Sequence, residues 1–159
     1  MEDKSHPALD KVDRRILNVL QHEGSLSAAD VAARVGISAT TCWRRMQQLE
    51  QSGVIRGRVA LLDRTALGLD VTIFAHVKLS TQGRDAIAAF AEAIRDRPEV
   101  LDCYTTMGEW DFMLRIVTRD IKAYEAFYLD HLSKLPNVQS INSSVTVTVI
   151  KESTILPIG

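Results

Sequence analysis

Residues 27–53 constrain this chain more than any other stretch, because they set two short amphipathic segments around a single glycine corner. Ser27 is placed to cap a helix, with Asp30 three residues later in the capping-box position. Val31, Ala32 and Val35 give that helix an apolar stripe. Gly36 can take φ > 0 and end it, Ile37 fills the corner, and Ser38 caps a second helix over 39–52. In that helix Cys42, Met46 and Leu49 fall at i, i+4 and i+7, one inward stripe. At about 100° per residue the opposite arc collects Thr40, Thr41, Arg44, Gln47 and Gln48, with Arg45 on its edge. A solvated helix pair is the ordinary outcome of such a pattern. An arc without a carboxylate before Glu50, however, suits a groove walled by phosphates with base edges at its floor. The pattern predicts a helix-turn-helix whose second helix reads DNA through Ser38, Thr40, Thr41, Arg44, Arg45 and Gln48.

A net charge of −1 looks wrong for a nucleic-acid binder until the chain is divided. Residues 1–64 carry ten Lys/Arg against eight Asp/Glu, and the remainder carries nine against twelve. Between Arg34 and Arg58 five arginines face Glu50 alone, so positive charge is concentrated on one local surface. The 46% apolar content is that of a protein with a real core, and no apolar run approaches the ~18 residues of a membrane span. The charged start has no signal-peptide segment, and two distant cysteines form neither a disulfide framework nor a metal site. A cytoplasmic protein with no membrane partner, metal or cofactor is expected.

In chain order, Asp10 caps a first helix that buries Val12, Ile16, Val19 and Leu20 and ends at Gly24. After the helix-turn-helix, the β-branched residues around Gly57 predict a short hairpin or wing that carries Arg56 and Arg58 onto neighbouring phosphates. The first domain then spans 1–63, and 64–70 is a linker. From 71 to 159 the rhythm changes. Strand 71–79, helix 83–97 (with Ile87, Phe90 and Ile94 inward), strand 100–106, a tight turn at 108–111, strand 112–117, helix 121–135 and strand 138–149 follow one another. The order βαββαβ predicts a ferredoxin-like α+β domain, an antiparallel sheet with two helices on one face. Its other face, carrying alternating β-branched residues, is expected to be covered by a second copy.

The chain resembles the Lrp/AsnC, or feast/famine, family of transcription regulators. The resemblance is carried by Leu9-Asp-Lys-Val-Asp13, Ile16-Leu17, Val35-Gly36-Ile37-Ser38, Cys42 with Arg45, Leu49-Glu50, Gly53-Val54-Ile55 and the Gly108-Glu-Trp-Asp111 turn. It implies an N-terminal winged helix-turn-helix, a C-terminal effector and oligomerisation domain, dimers that assemble to octamers, and a response to amino acids. A narrower likeness is to the branch with Cys42-Trp43-Arg44 and a Thr154-x-Leu156-Pro157-Ile158 ending, which includes regulators responsive to cysteine and others tied to branched-chain amino-acid degradation. The strand Val145-Thr-Val-Thr-Val departs from that branch, which usually has Phe, Met and Glu there.

A free amino acid needs a carboxylate for its ammonium and donors for its own carboxylate. The resemblance implies Asp111 for the first. Backbone N–H groups around Met107, Gly108 and Glu109 would serve the second, with Ser143 and Ser144 adding hydroxyls from the neighbouring strand or subunit. The residues alone fit a plain hairpin turn equally well. Trp110 is expected to pack, His76 and His131 to be structural, and Cys42 to be buried. The chain is therefore expected to be a sequence-specific transcription regulator, not an enzyme, that binds double-stranded DNA and responds to an amino acid. The alternatives are an architectural DNA-wrapping protein of the same fold that needs no effector, and a ligand-binding or catalytic module built on the second half alone.

Overall fold

The computed structural model describes residues 8–81 and 83–158, in two compact units. The first unit runs to Leu61 and takes in the stretch from Lys151 onward; the second runs from Leu62 to Ile150.

Three helices build the first unit: α1 (Lys11–His22), α2 (Ala28–Val35) and α3 (Ala39–Gln51). Each begins at a side chain that accepts an otherwise unpaired backbone N–H. The Asp10 carboxylate accepts from Val12 and Asp13, both at 2.8 Å, and Asp13 returns the bond to Asp10. Ser27 and Asp30 form the expected capping box, and Ser38 Oγ accepts from Thr41 N at 3.2 Å. Gly36 sits at φ 73°, in the left-handed region that lets α2 end and α3 leave at once. Ile16, Leu20, Val31, Ala32, Val35, Cys42, Met46 and Leu49 close one core.

The second unit contains β1 (Val71–Leu79), α4 (Arg84–Arg95), β2 (Val100–Thr105), β3 (Phe112–Thr118), α5 (Ile121–Asp130), a 3-10 turn over Leu132–Lys134, and β4 (Val138–Val145). The sheet is antiparallel throughout, in the order β2-β3-β1-β4, which is the expected ferredoxin-like plan. Ile73, Ala75, Val77 and Leu79 alternate onto the helix side, where Phe90 stacks on Phe112 with ring centroids 4.2 Å apart.

Several expectations are corrected. Residues 56–63 form no hairpin: they have no ladder partner among the described residues. A segment becomes a strand only when another strand pairs with its hydrogen-bonding groups, and no described strand pairs with this one. Instead of a plain linker, residues 63–69 make a hydrogen-bonded turn, with Leu69 N donating to Arg64 O at 2.8 Å and Gly68 at φ 72°. Ile87 is exposed; the inward positions of α4 are Ala86, Phe90 and Ile94, the set that keeps i, i+4, i+8 spacing.

The last strand stops at Val145 rather than 149, and the stretch from Lys151 clusters with the first unit, not with the second as the expected boundary at 159 required. There the Gln21 side-chain amide grips the main chain of Leu156. Leu156 N donates to Oε1 at 2.9 Å, and Nε2 donates to Leu156 O at 3.1 Å. The amide thereby takes the place of a neighbouring strand's peptide.

The sheet face away from the helices is also not the β-branched surface expected. It presents Phe74, His76, Lys78, Met113, Arg115, Asp102 and Tyr104, with Arg115 Nε donating to Asp102 Oδ2 at 2.5 Å. Exposed aliphatic side chains gather instead on two stretches, Val59 to Leu69 and Val145 to Ile150, where Val147 is 97% exposed.

Candidate DNA-reading face and effector turn

Two flanks of α3 are accounted for within its own unit. Cys42, Met46 and Leu49 are buried, and the burial of Cys42 pushes its thiol pKa up. On the next flank Thr41 and Arg45 are half-buried. Arg45 Nη1 donates to Asp10 Oδ2 at 2.7 Å and Asp13 Oδ1 at 2.8 Å. Asp10 is held below the usual carboxylate range, first by the Asp13 backbone N–H and then by this guanidinium. The Asp10 and Asp13 carboxylates hold the Arg45 side chain against α1, while its Nε is buried without a partner among the described residues. Arg45 was expected at the groove and is instead the brace between α3 and α1.

The outward surface is left to Ser38, Thr40, Arg44 and Gln48, all exposed, and to Trp43, which is 58% exposed. Arg44 makes no ion pair among the described residues. Beyond the helix the two expected phosphate arginines part company. Arg56 is exposed and without a salt bridge among the described residues. Arg58 donates to Glu50 Oε1 at 3.0 Å and makes a long contact to Leu26 O at 3.5 Å. Glu50, the one acid in the basic stretch, is thus neutralised by Arg58. Trp43 was not among the residues expected on the reading face, although it is exposed there. Its spacing was the available signal, since it is four residues before Gln47 and outside the 42/46/49 stripe.

In the second unit the turn between β2 and β3 is built by its own polar groups. Thr106 N donates to Asp111 O at 2.9 Å, Thr106 Oγ1 to Trp110 O at 2.6 Å, and Asp111 N to Val77 O at 2.9 Å. Gly108 sits at φ 136°, which an L side chain rarely adopts. Trp110 lies 6.1 Å from His76 between ring centroids. Because β3 begins at Phe112, the Leu79 N–H on that side of β1 has no ladder partner, and Asp111 Oδ2 accepts it at 2.8 Å. Lys78 Nζ stands 3.7 Å from Oδ1. The carboxylate expected to bind an ammonium therefore already closes the end of β1, with Oδ1 the less engaged oxygen.

Met107 and Glu109 are exposed beside it. Ser143 and Ser144 do not join the turn within one chain. They pair with Ala75 and Phe74, further down β1 and on the strand beyond it, and as neighbours they face opposite sides of the sheet. Ser143 Oγ hydrogen-bonds the Tyr124 hydroxyl on the helix side. An open groove of about 390 Å³ lies elsewhere in this unit, beside Val117, Thr118, Phe127 and His131, and no turn residue lines it.

Comparison with known proteins agrees with both halves. A family model described as Lrp/AsnC ligand binding domain matches residues 72–156, and one described as winged helix-turn-helix DNA-binding matches residues 9–56. The chain is 35% identical over 150 residues to the DNA-binding transcriptional activator DecR of Escherichia coli K12, covering 94% of this chain and 99% of that protein. It is 40% identical over 136 residues to the Bkd operon transcriptional regulator of Pseudomonas aeruginosa, covering 86% and 89%. Among solved structures, a transcriptional regulator of Neisseria meningitidis in complex with L-Met superposes with a TM-score of 0.89 at 38% identity, covering 94% and 97%.

Proposed function

This chain belongs to the Lrp/AsnC family of transcription regulators, and on that footing we propose that it is a homo-oligomer whose DNA affinity or assembly responds to a free α-amino acid. The observation that carries the DNA half is the outward surface of α3. Thr40, Arg44, Gln48 and Trp43 stand free there while the capped turn and the Arg45 brace fix the helix. A rigid helix with unpaired donors and no free acid suits base edges flanked by phosphates.

For the effector, the Asp111 carboxylate takes the ammonium through Oδ1, and main-chain N–H groups of Met107–Glu109 take the carboxylate. The L-Met bound by the Neisseria relative supports that ligand class. One chain offers an open turn rather than an enclosed pocket, so the site is completed between subunits, where Ser143 or Ser144 of another copy adds a hydroxyl. The Cys42-Trp43-Arg44 and Thr154-x-Leu156-Pro157-Ile158 signatures support a narrower likeness to the branch that shares them. A ligand shifts an equilibrium only by its difference in affinity for two states, and a pocket between subunits supplies one.

The test is a thermal-shift screen of the twenty free amino acids, followed by operator binding with each hit. One or a few amino acids are expected to raise the melting temperature, since ligand at 100 times its Kd adds about 2.7 kcal/mol. Sequence-selective binding indifferent to all twenty would instead favour an architectural role.

A further inference from the structure

On a helix surface, side chains four apart stack into ridges. The 42/46 ridge of α3 is core, and the 41/45 ridge is closed by α1 through the two Arg45 ion pairs. Two ridges remain outward: Thr40, Arg44 and Gln48, which carry donors and a cation, and Ala39, Trp43 and Gln47. The second is dominated by one large apolar ring, 58% exposed. Its indole N–H has no hydrogen bond among the described residues, and Gln47 beside it is held to Glu50 Oε2 at 3.2 Å. A surface of this kind fits a target with one apolar knob next to polar edges. In the major groove the knob is the thymine 5-methyl group, the apolar feature that distinguishes T·A from the other pairs there.

We propose that Trp43 is a specificity-determining residue, packing its indole against a thymine methyl next to the base edge that Arg44 takes. The inference rests on the DNA-reading function proposed above. Arg44 and Trp43 are adjacent in sequence on neighbouring ridges, so they address the same or the next base step. Arg45, drawn back onto α1, leaves the reading surface displaced toward the Trp43 side.

The test begins with an operator selected from random duplexes by the parental protein. Each thymine is then replaced singly by uracil, which deletes only the methyl. The parent is expected to lose about fourfold in affinity at one or two positions, the value of one methyl removed from water. Trp43→Ala is expected to become indifferent at those positions while keeping its preferences elsewhere, and Trp43→Phe to retain part of the sensitivity. Thermal melts of both variants check that they fold. The same methyl-deletion profile in Trp43→Ala as in the parent overturns the inference and leaves the DNA-reading function standing. So does a change in the sedimentation of Trp43→Ala with that profile unchanged, which makes the ring an assembly contact. Failure of the parent to select any operator overturns the DNA-reading function, and this inference with it.

Discussion

The two units handle their polar groups in opposite ways. In the first, the groups that hold the structure and the groups that stand free are different residues. Asp10, Ser27, Asp30, Ser38 and Arg45 cap or brace, which leaves Arg44, Gln48 and Arg56 unpaired at the surface. In the second, the same carboxylate would do both: Asp111 closes the end of β1 and is the group we propose for the effector's ammonium. A site made of spare groups is complete in one chain. A site made of a structural group can sense, because a ligand that engages it also acts on the strand it holds.

The largest effect expected from this contrast comes from separating the units. A fragment spanning 62–159 should remain at least dimeric, since the exposed aliphatic residues between Leu62 and Leu69 and between Val145 and Ile150 lie within it. A fragment ending at residue 63 should bind DNA far more weakly than the full chain, because it loses the two-fold repetition and the Leu156 main chain that Gln21 grips. Light scattering and gel-shift titration measure both, and a monomeric 62–159 fragment breaks the comparison.

Arg44 and Arg45 sharpen it next. Arg44→Ala should cost ~1–3 kcal/mol of discrimination at one base position with no loss of stability. Arg45→Ala should lower the stability of the first unit, because Asp10 and Asp13 lose their shared partner, and leave base preference unchanged. Binding to a panel of single-substituted operators separates the two, and a preference change in Arg45→Ala places that side chain back at the groove.

Beyond the helix the effects are smaller. Arg56→Ala should weaken binding uniformly and reduce the slope of log affinity against log salt by about 1. Arg58→Ala should change that slope less, since its guanidinium is engaged by Glu50.

Smallest is the response to acid. Asp10, Glu23 and Asp30 are held below the usual carboxylate range by the Asp13 N–H with Arg45, by Arg34, and by the Ser27 hydroxyl, respectively. A lowered folded pKa contributes stability that is present above the unfolded value and lost as pH falls through the folded one. The first unit should therefore be indifferent between pH 8 and 5 and loosen below about pH 4. Amide signals followed during an acid titration should show α1 and α2 weakening before the sheet.

What was legible in the sequence follows the range of each interaction. Caps act between residues two or three apart, so Asp10, Ser27, Asp30 and Ser38 could be placed from spacing alone. The sheet order followed from the alternation of strands and helices. The Arg45 brace joins residues 32 and 35 positions apart, and the Asp111 bond to Leu79 spans 32. No local pattern announces either contact. The hairpin was overread for a related reason: β-branched residues near Gly57 give propensity but not a partner strand. Ser143 and Ser144 were grouped as neighbours, although adjacent strand residues face opposite sides of a sheet.

The most direct measurement is operator binding by the parental protein and by Asp111→Ala, each with and without the amino acid found in the thermal-shift screen. The parental affinity should change by roughly 5- to 150-fold, a coupling of 1–3 kcal/mol. Asp111→Ala should bind the operator like the effector-free parent and show no change when the amino acid is added. An Asp111→Ala protein that responds with the parental affinity and amplitude would contradict the account, and would make the Gly108–Asp111 turn a structural corner alone.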